Sequence, residues 1–132
     1  MSLDIDTRTM MLESAGRLLS DLCTPELVNR AEKGEWPAEL WRAIEDAGLM
    51  LAAVPEEQGG VGGSLADLAA VLRLLGAHAV PLPVAETALA RHLAAAAGLT
   101  LPDGPVALAV SETPVQLAAD GRRASGDIRN VP

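Results

Sequence analysis

The residue types that most often do chemistry are sparse in this chain, and none of them forms a reactive pair. Glu56 and Glu57 are neighbouring carboxylates, a group that often serves as general acid or base. They precede residues 59–63, where four of five positions are glycine, a density that predicts a loop. Because the side chains of adjacent loop residues diverge, we expect both carboxylates to be solvated on the surface.

The other reactive side chains give no metal or nucleophile signature. His78 and His92 lack a third His, Cys or paired carboxylate at metal-ligand spacing. Cys23 is the single cysteine, which excludes a disulfide scaffold and indicates a reducing compartment. It stands at the end of a predicted helix, which favours an inert packed thiol. The glycine-rich loop also lacks the Lys and Ser or Thr of a Walker phosphate loop. We therefore predict no metal site.

The composition predicts closely packed aliphatic helices. The 132 residues include 24 alanines and 21 leucines, two tryptophans, and no Phe or Tyr. An apolar content of 49% excludes extended disorder. The net charge of −8 without a basic stripe makes nucleic acid an unexpected partner. No apolar run approaches the ~20 residues of a membrane span, so we expect a soluble cytoplasmic protein with no membrane partner.

Apolar spacing predicts helices over about 7–23, 26–33, 37–47, 64–76 and 83–97. Ser64 and Asp67 have the spacing of a capping box at the start of the fourth helix. Trp36 and Trp41 are interpreted as the two large core residues. The residues predicted to face inward are Met11, Ala15, Leu18 and Leu22 on the first helix, Leu40, Ile44 and Ala47 on the third, Leu65, Leu68, Leu72 and Leu75 on the fourth, and Leu89, Leu93, Ala96 and Ala97 on the fifth.

The pattern changes after residue 101. Residues 106–110 and 115–118 are short strand-like runs, and Asp120-Gly121 predicts a hairpin turn before a third run over 122–125. Two or three short strands do not form a stable sheet by themselves. The sequence therefore predicts a mainly α protein, with a helical domain over 1–101 and the beginning of a β domain over 102–132.

Three motifs in this order resemble the N-terminal helical domain of the acyl-CoA dehydrogenase superfamily. They are LWRAIEDAGL at 40–49, VPEE at 54–57 and GGVG at 59–62. PLPVAE at 81–86 and AGL at 97–99 extend the resemblance. Each motif alone is weak, but their order and spacing together are specific.

The resemblance implies a subunit of three parts: a helical domain, a β-barrel domain and a C-terminal four-helix bundle. Such enzymes oxidise an acyl-CoA thioester between Cα and Cβ. A glutamate removes the α-proton, FAD accepts hydride, and an electron-transfer flavoprotein receives the electrons. The resemblance also implies an oligomer. The glutamate and the four-helix bundle belong to later parts of such a subunit, so we expect this chain alone to be inactive and assign it no catalytic residue.

Residues 108–112 (LAVSE) resemble the first barrel strand of the family, where backbone and a Thr hydroxyl contact the isoalloxazine edge. Val110 and Ser111 are therefore candidate cofactor-binding residues, although Ser111 is equally explained as the end of a strand. The family continues with a Gly-Ser-Asp loop, whereas here residues 113–115 lead directly toward the next strand.

The helix over 84–97 resembles the one that forms the floor of the acyl pocket. This makes Ala85, Glu86 and Leu89 candidate substrate-binding residues. The alternative interpretation is a first-turn helix charge for Glu86 and ordinary core positions for the other two.

Two further functions stay open at this point. The shortened connection over 113–115 is compatible with a non-catalytic or scaffolding subunit of a hetero-oligomeric acyl-CoA dehydrogenase. A small helical interaction module, whose alanine-rich helix packs on a partner, is the third interpretation.

Overall fold

The computed structural model describes residues 2–109 and 114–129. The described residues form the mainly helical fold that the composition predicts, followed by one short hairpin. Two 3-10 turns lie between the third and fourth helices, at Leu49–Leu51 and Glu56–Gln58. The second of these lies within the predicted loop. The helices are α1 Ile5–Leu22, α2 Pro25–Glu32, α3 Ala38–Asp46, α4 Leu65–Ala77 and α5 Val84–Ala96, and the strands are β1 Gln116–Leu117 and β2 Ala124–Ser125.

The core lies where α1, α3 and α4 meet the 49–51 turn. Leu19, Leu40, Ile44 and Val71 are fully buried at its centre. This confirms the helix faces predicted for most positions on α1, α3 and α4, since the inward residues Ala15, Leu40, Ile44, Leu68 and Leu75 are buried.

Outside α5, three residues predicted for the core are exposed. Ala47 follows the last residue of α3 and faces solvent, because the helix ends at Asp46. Leu65 is the first residue of α4 and is 55% exposed. Trp36 lies before α3 and is 47% exposed, with its ring tilted against that of buried Trp41 at a centroid distance of 5.6 Å.

The face predicted for α5 is wrong. Leu89 and Leu93 are exposed, as are Ala96 and Ala97. The helix packs against the 49–51 turn and α4. Small side chains permit this close approach, and the leucines are therefore on the outside. The buried residues of α5 are Val84, Thr87, Ala88, Ala90, Ala94 and Ala95.

The glycines predicted to end α3 and α5 have the expected left-handed backbone conformation. Gly48 and Gly98 both have φ +67°, the left-handed conformation expected after α3 and α5. The predicted end of α4 at Gly76 is wrong, because the helix continues to Ala77 and the left-handed position is Ala79, with φ 51°.

The segment after α5 has less regular structure than predicted. Over 106–109 the backbone forms no strand, and Val110, the last residue of that predicted strand, lies outside the described residues. The hairpin is confirmed, since β1 and β2 pair antiparallel with Gln116 opposite Ser125. The division between a helical and a β domain near residue 101 stays a prediction.

Across residues 2–109 and 114–129, every helix is too short or too polar to cross a lipid bilayer.

Candidate functional site

Helices α4 and α5 enclose an apolar groove of about 360 Å³, here called the α4–α5 groove. Its volume lies near the lower end of the ~300–1,000 Å³ typical of small-molecule sites. The three residues predicted to bind substrate all line it. The lining residues are Leu65, Leu68, Ala69, Leu72, Ala85, Glu86, Leu89 and Leu108.

The leucine stripe of α4 forms one wall of the groove. Leu65, Leu68 and Leu72 follow helical spacing and share a face. Leu68 also belongs to the core, whereas Leu65 is exposed and Leu72 is partly buried. The stripe therefore lies at the boundary between the core and the groove. This explains why a pattern that predicts burial also contains exposed groove residues.

The first turns of α5 form the opposite wall. Ala85 and Leu89 are one helical turn apart and both are exposed. The structure thus excludes the alternative that these two residues are ordinary core positions. Whether they contact a substrate stays a prediction.

Among the described residues, Glu86 is the one charged residue that lines the groove. It is partly buried, and its carboxylate has no hydrogen bond or ion pair to another described residue. A carboxylate without a partner must keep access to water. Its position in the first turn of α5 also favours a negative charge through the helix dipole. The wall at this point is therefore best supplied by the methylene groups of Glu86.

Leu108 is the lining residue that does not belong to a helix, and Thr87 holds its segment in place. Thr87 Oγ1 accepts a hydrogen bond from the Val106 amide at 3.0 Å and donates one to the Val106 carbonyl at 3.1 Å. Sequence reasoning missed Thr87. The available signal was a single hydroxyl residue on the small-residue face of α5.

The candidate flavin contacts Val110 and Ser111 lie outside the described residues, so their role stays a prediction. Residues 105–109, which lead to them, have the sequence PVALA and carry no polar side chain. This adjacent part of the chain therefore offers a flavin ring apolar side chains and backbone groups but no polar side chain.

Asp67 is the centre of a buried polar network at the start of α4. Its carboxylate is fully buried and accepts hydrogen bonds from the amide and hydroxyl of Ser64, both at 2.7 Å, and from the Leu3 amide at 3.1 Å. It also accepts one from Arg8 Nε at 2.6 Å. These donors, the Ser64 amide foremost, hold the pKa of Asp67 well below its ordinary value. The predicted capping box is confirmed, and the contact to Arg8 joins it to α1.

The remaining reactive side chains have structural partners. His92 Nδ1 lies 2.8 Å from the Ala53 carbonyl, which can only accept, so this nitrogen carries a proton. Cys23 Sγ donates to the His78 carbonyl at 3.3 Å, and burial raises the pKa of the thiol. In residues 2–109 and 114–129, no three His, Cys, Asp or Glu side chains are grouped to hold a metal ion.

Comparisons with known proteins identify a family for the helical part of the chain. Residues 6–100 match the family described as acyl-CoA dehydrogenase, N-terminal domain. The chain is 37% identical over 100 residues to acyl-CoA dehydrogenase IpdE2 of Mycolicibacterium smegmatis, covering 74% of this chain and 32% of the relative. It is 32% identical over 117 residues to acyl-CoA dehydrogenase FadE27 of Mycobacterium tuberculosis, covering 85% and 31%.

A relative with a different printed activity also matches. L-evernosamine nitrososynthase of a Micromonospora species is 34% identical over 136 residues, covering 92% of this chain and 31% of the relative. No solved structure matches significantly. The chain spans about a third of the length of the curated relatives it matches. Since the family match covers most of the described helices, the chain belongs to the acyl-CoA dehydrogenase family, of which it carries the N-terminal domain.

Proposed function

We propose that this domain is part of an FAD-dependent acyl-CoA dehydrogenase and that the α4–α5 groove receives the hydrocarbon chain of the acyl group. The observation that carries the proposal is the groove itself, which is apolar on three sides and contains all three residues predicted to bind substrate. Family membership supports the reaction class.

The groove has the chemistry that such a substrate needs. Each methylene moved from water into an apolar wall contributes about 0.8 kcal/mol to binding. Ala85 and Leu89 supply such surface on α5, and Leu72 supplies it on α4. Binding the chain here would also exclude water from one side of the reacting carbons, where a weakly acidic α-proton has to be removed.

The chemistry itself belongs to groups outside the described residues. Bound FAD would accept hydride from the β-carbon, and a glutamate expected in a later part of the protein would remove the α-proton. An electron-transfer flavoprotein as electron acceptor, an oligomeric enzyme and a cytoplasmic location complete the proposal.

The proposal is tested with the full-length protein encoded by the gene. We expect it to purify with visible flavin absorbance and to oxidise acyl-CoA thioesters. Replacing Ala85 with Phe fills part of the groove. The loss of burial for two methylenes, about 1.6 kcal/mol, should raise KM for a long-chain thioester about tenfold. Ala66 is exposed on α4 and does not line the groove, so Ala66→Phe is the matched control.

Two outcomes contradict the proposal. A colourless protein that binds no acyl-CoA would exclude the activity and favour the scaffolding subunit or the interaction module. Equal KM values for the Ala85→Phe and Ala66→Phe proteins would exclude the groove as the acyl site.

The relative named L-evernosamine nitrososynthase favours one second candidate, the oxidation of an amine substrate. The described lining of the groove is apolar except for Glu86, so the hydroxyl groups of an amino sugar would lose hydrogen bonds to water there, and the dehydrogenase is the better fit. If the protein oxidises an amino sugar and no acyl-CoA, amine oxidation becomes the favoured function and the dehydrogenase proposal is rejected.

A further inference from the structure

Thr87 is a fully buried residue whose two side-chain hydrogen bonds both go to the backbone of Val106. It lies on the inward face of α5, where its neighbours along the chain are Glu86 and Ala88. Its oxygen accepts from the Val106 amide and donates to the Val106 carbonyl, at 3.0 and 3.1 Å. A hydroxyl offers one donor and two acceptor positions, so Thr87 satisfies both backbone groups of Val106.

The hydroxyl of Thr87 supplies the hydrogen bonds that a neighbouring strand would otherwise supply to Val106. Residues 105–109 form no ladder with another described strand, yet buried backbone groups need partners. Among the described residues, the hydrogen bonds between this segment and the helices are the two to Thr87. Arg91 of α5 also donates a hydrogen bond to the Gly104 carbonyl, at 3.2 Å, one residue before the segment. Thr87 is therefore the side chain of α5 that holds residues 105–109 themselves by hydrogen bonds.

The consequence for the groove follows from chain geometry. Two residues of chain span at most about 7 Å, whatever their conformation. Leu108 is two residues beyond Val106 and, among the described lining residues, is the one outside the helices. Holding Val106 against α5 therefore confines Leu108, as a wall of the groove, to within this distance of the anchored residue.

We propose that Thr87 is a positioning residue: by holding Val106 it keeps Leu108 in place as the third wall of the α4–α5 groove, and so limits the length of hydrocarbon that the groove accepts. The identity of the hydrocarbon as an acyl chain rests on the proposed function. The role of Thr87 in shaping the groove does not.

The substitutions separate the hydroxyl from the shape of the side chain. Thr87→Val keeps the volume and removes both hydrogen bonds, whereas Thr87→Ser keeps the hydroxyl and should behave like the wild type. Leu108→Ala removes the wall directly, with Thr87 intact. It provides an independent test if the Val protein does not fold.

The first measurement is hydrogen exchange on the full-length protein. In Thr87→Val we expect peptides covering 105–109 to exchange at least about tenfold faster, the equivalent of 1.4 kcal/mol. Peptides from α1 and α3 should be unchanged, which shows that the fold persists. The Ser protein should match the wild type. Unchanged exchange at 105–109 in the Val protein would overturn the proposal.

The second measurement is binding across a length series, using saturated free fatty acids and the matching CoA thioesters. We expect the wild-type and Ser proteins to discriminate against chains longer than an optimum. In the Thr87→Val and Leu108→Ala proteins, we expect the ratio of affinities for the optimal and the longer chains to fall at least about fivefold. An unchanged length preference in both, with faster exchange in the Val protein, would reduce Thr87 to a purely structural residue and refute its role in the groove.

The two ligand series also separate this inference from the proposed function. Thr87-dependent discrimination among free acids, without binding or oxidation of any thioester, would leave the positioning role standing and reject the dehydrogenase. If thioesters are oxidised and the length preference is unchanged by the substitutions at Thr87 and Leu108, the dehydrogenase activity stands and the positioning role is rejected. If no chain of either kind binds, the groove is not a hydrocarbon site and the inference is wrong.

Discussion

Replacing Asp67 with Asn is expected to destabilise the domain by about 3 kcal/mol at neutral pH. The carboxylate is fully buried and has donors on both oxygens, with Ser64 and Leu3 on Oδ2 and Arg8 on Oδ1. An amide has only one oxygen, so its NH₂ group must face donors on one side. The amide oxygen is uncharged, so the hydrogen bonds that it keeps from Ser64 and Leu3 are no longer charge-assisted, which costs about 1 kcal/mol. Losing a charged hydrogen bond costs about 1.5–3 kcal/mol, and we take the middle because the Arg8 side chain is 34% exposed.

The contribution of Asp67 to the stability of the fold is expected to decrease in acid. The Ser64 donors, then Leu3 and Arg8, hold the pKa of Asp67 below its ordinary value of 3.8. A carboxyl with a lowered folded-state pKa stabilises the protein above its unfolded-state pKa. This contribution is lost as the pH falls through the folded-state pKa. The difference in the free energy of unfolding between the wild type and the Asp67→Asn protein should therefore be constant from about pH 5 to 8. It should become progressively smaller below about pH 4.

Urea unfolding, monitored by the fluorescence of buried Trp41, measures both effects. With a slope near 1.5 kcal/mol/M, a loss of 3 kcal/mol lowers the midpoint by about 2 M. Asp103 is exposed, and Asp103→Asn is the matched control that should change the midpoint by less than about 0.3 M. A loss below about 1 kcal/mol at pH 7, or a difference that grows in acid, would refute this account of the network.

Four further substitutions have expected outcomes that thermal unfolding can check. Gly60→Ala should cost more than about 2 kcal/mol, because its Cβ would overlap the Val54 carbonyl oxygen. Gly76→Ala, at a position inside α4 where an added Cβ meets nothing within 4 Å, should instead stabilise by about 0.5–1 kcal/mol, and equal effects would contradict the steric argument. Ala79→Gly should stabilise by about 1 kcal/mol, or roughly 4 °C, because Ala79 has φ 51°, and a lower melting temperature would show that this backbone is unstrained. Leu93→Ser should change stability by less than about 0.5 kcal/mol, because Leu93 is 50% exposed, whereas a loss near 3 kcal/mol would support the core position predicted from the sequence.

Local signals were sufficient to predict much of the helical fold. The capping box at Ser64 and Asp67 and the left-handed glycines after α3 and α5 depend on contacts within a few residues, so spacing alone identifies them. The link from Asp67 to Arg8 spans 59 positions, and no local pattern indicates it. The strand over 106–110 was predicted from apolar run length. In the described part, its neighbour is a helix hydroxyl, and no strand pairs with it.

The error on α5 has a physical cause that bears on the site. The helix is apolar around most of its circumference, so periodicity does not distinguish its faces. The prediction placed Leu89, Leu93, Ala96 and Ala97 inside because they follow the apolar spacing of one helix face. In the structure the inward face consists of Ala88, Ala94, Ala95 and similar small residues, which bring the backbone close to the 49–51 turn.

This arrangement makes the groove possible. Had the leucines turned inward, the distance between α5 and the 49–51 turn would have to increase, and Leu89 would no longer line the space opposite Leu72. Thr87 would also leave the face that meets Val106, and Leu108 would lose the contact that holds its segment. One rotation of α5 therefore determines the core contact, the groove wall and the polar anchor together. Sequence reasoning from apolar spacing failed at the helix whose orientation serves the groove as well as the core. Such sites are where local sequence preference and function are expected to disagree.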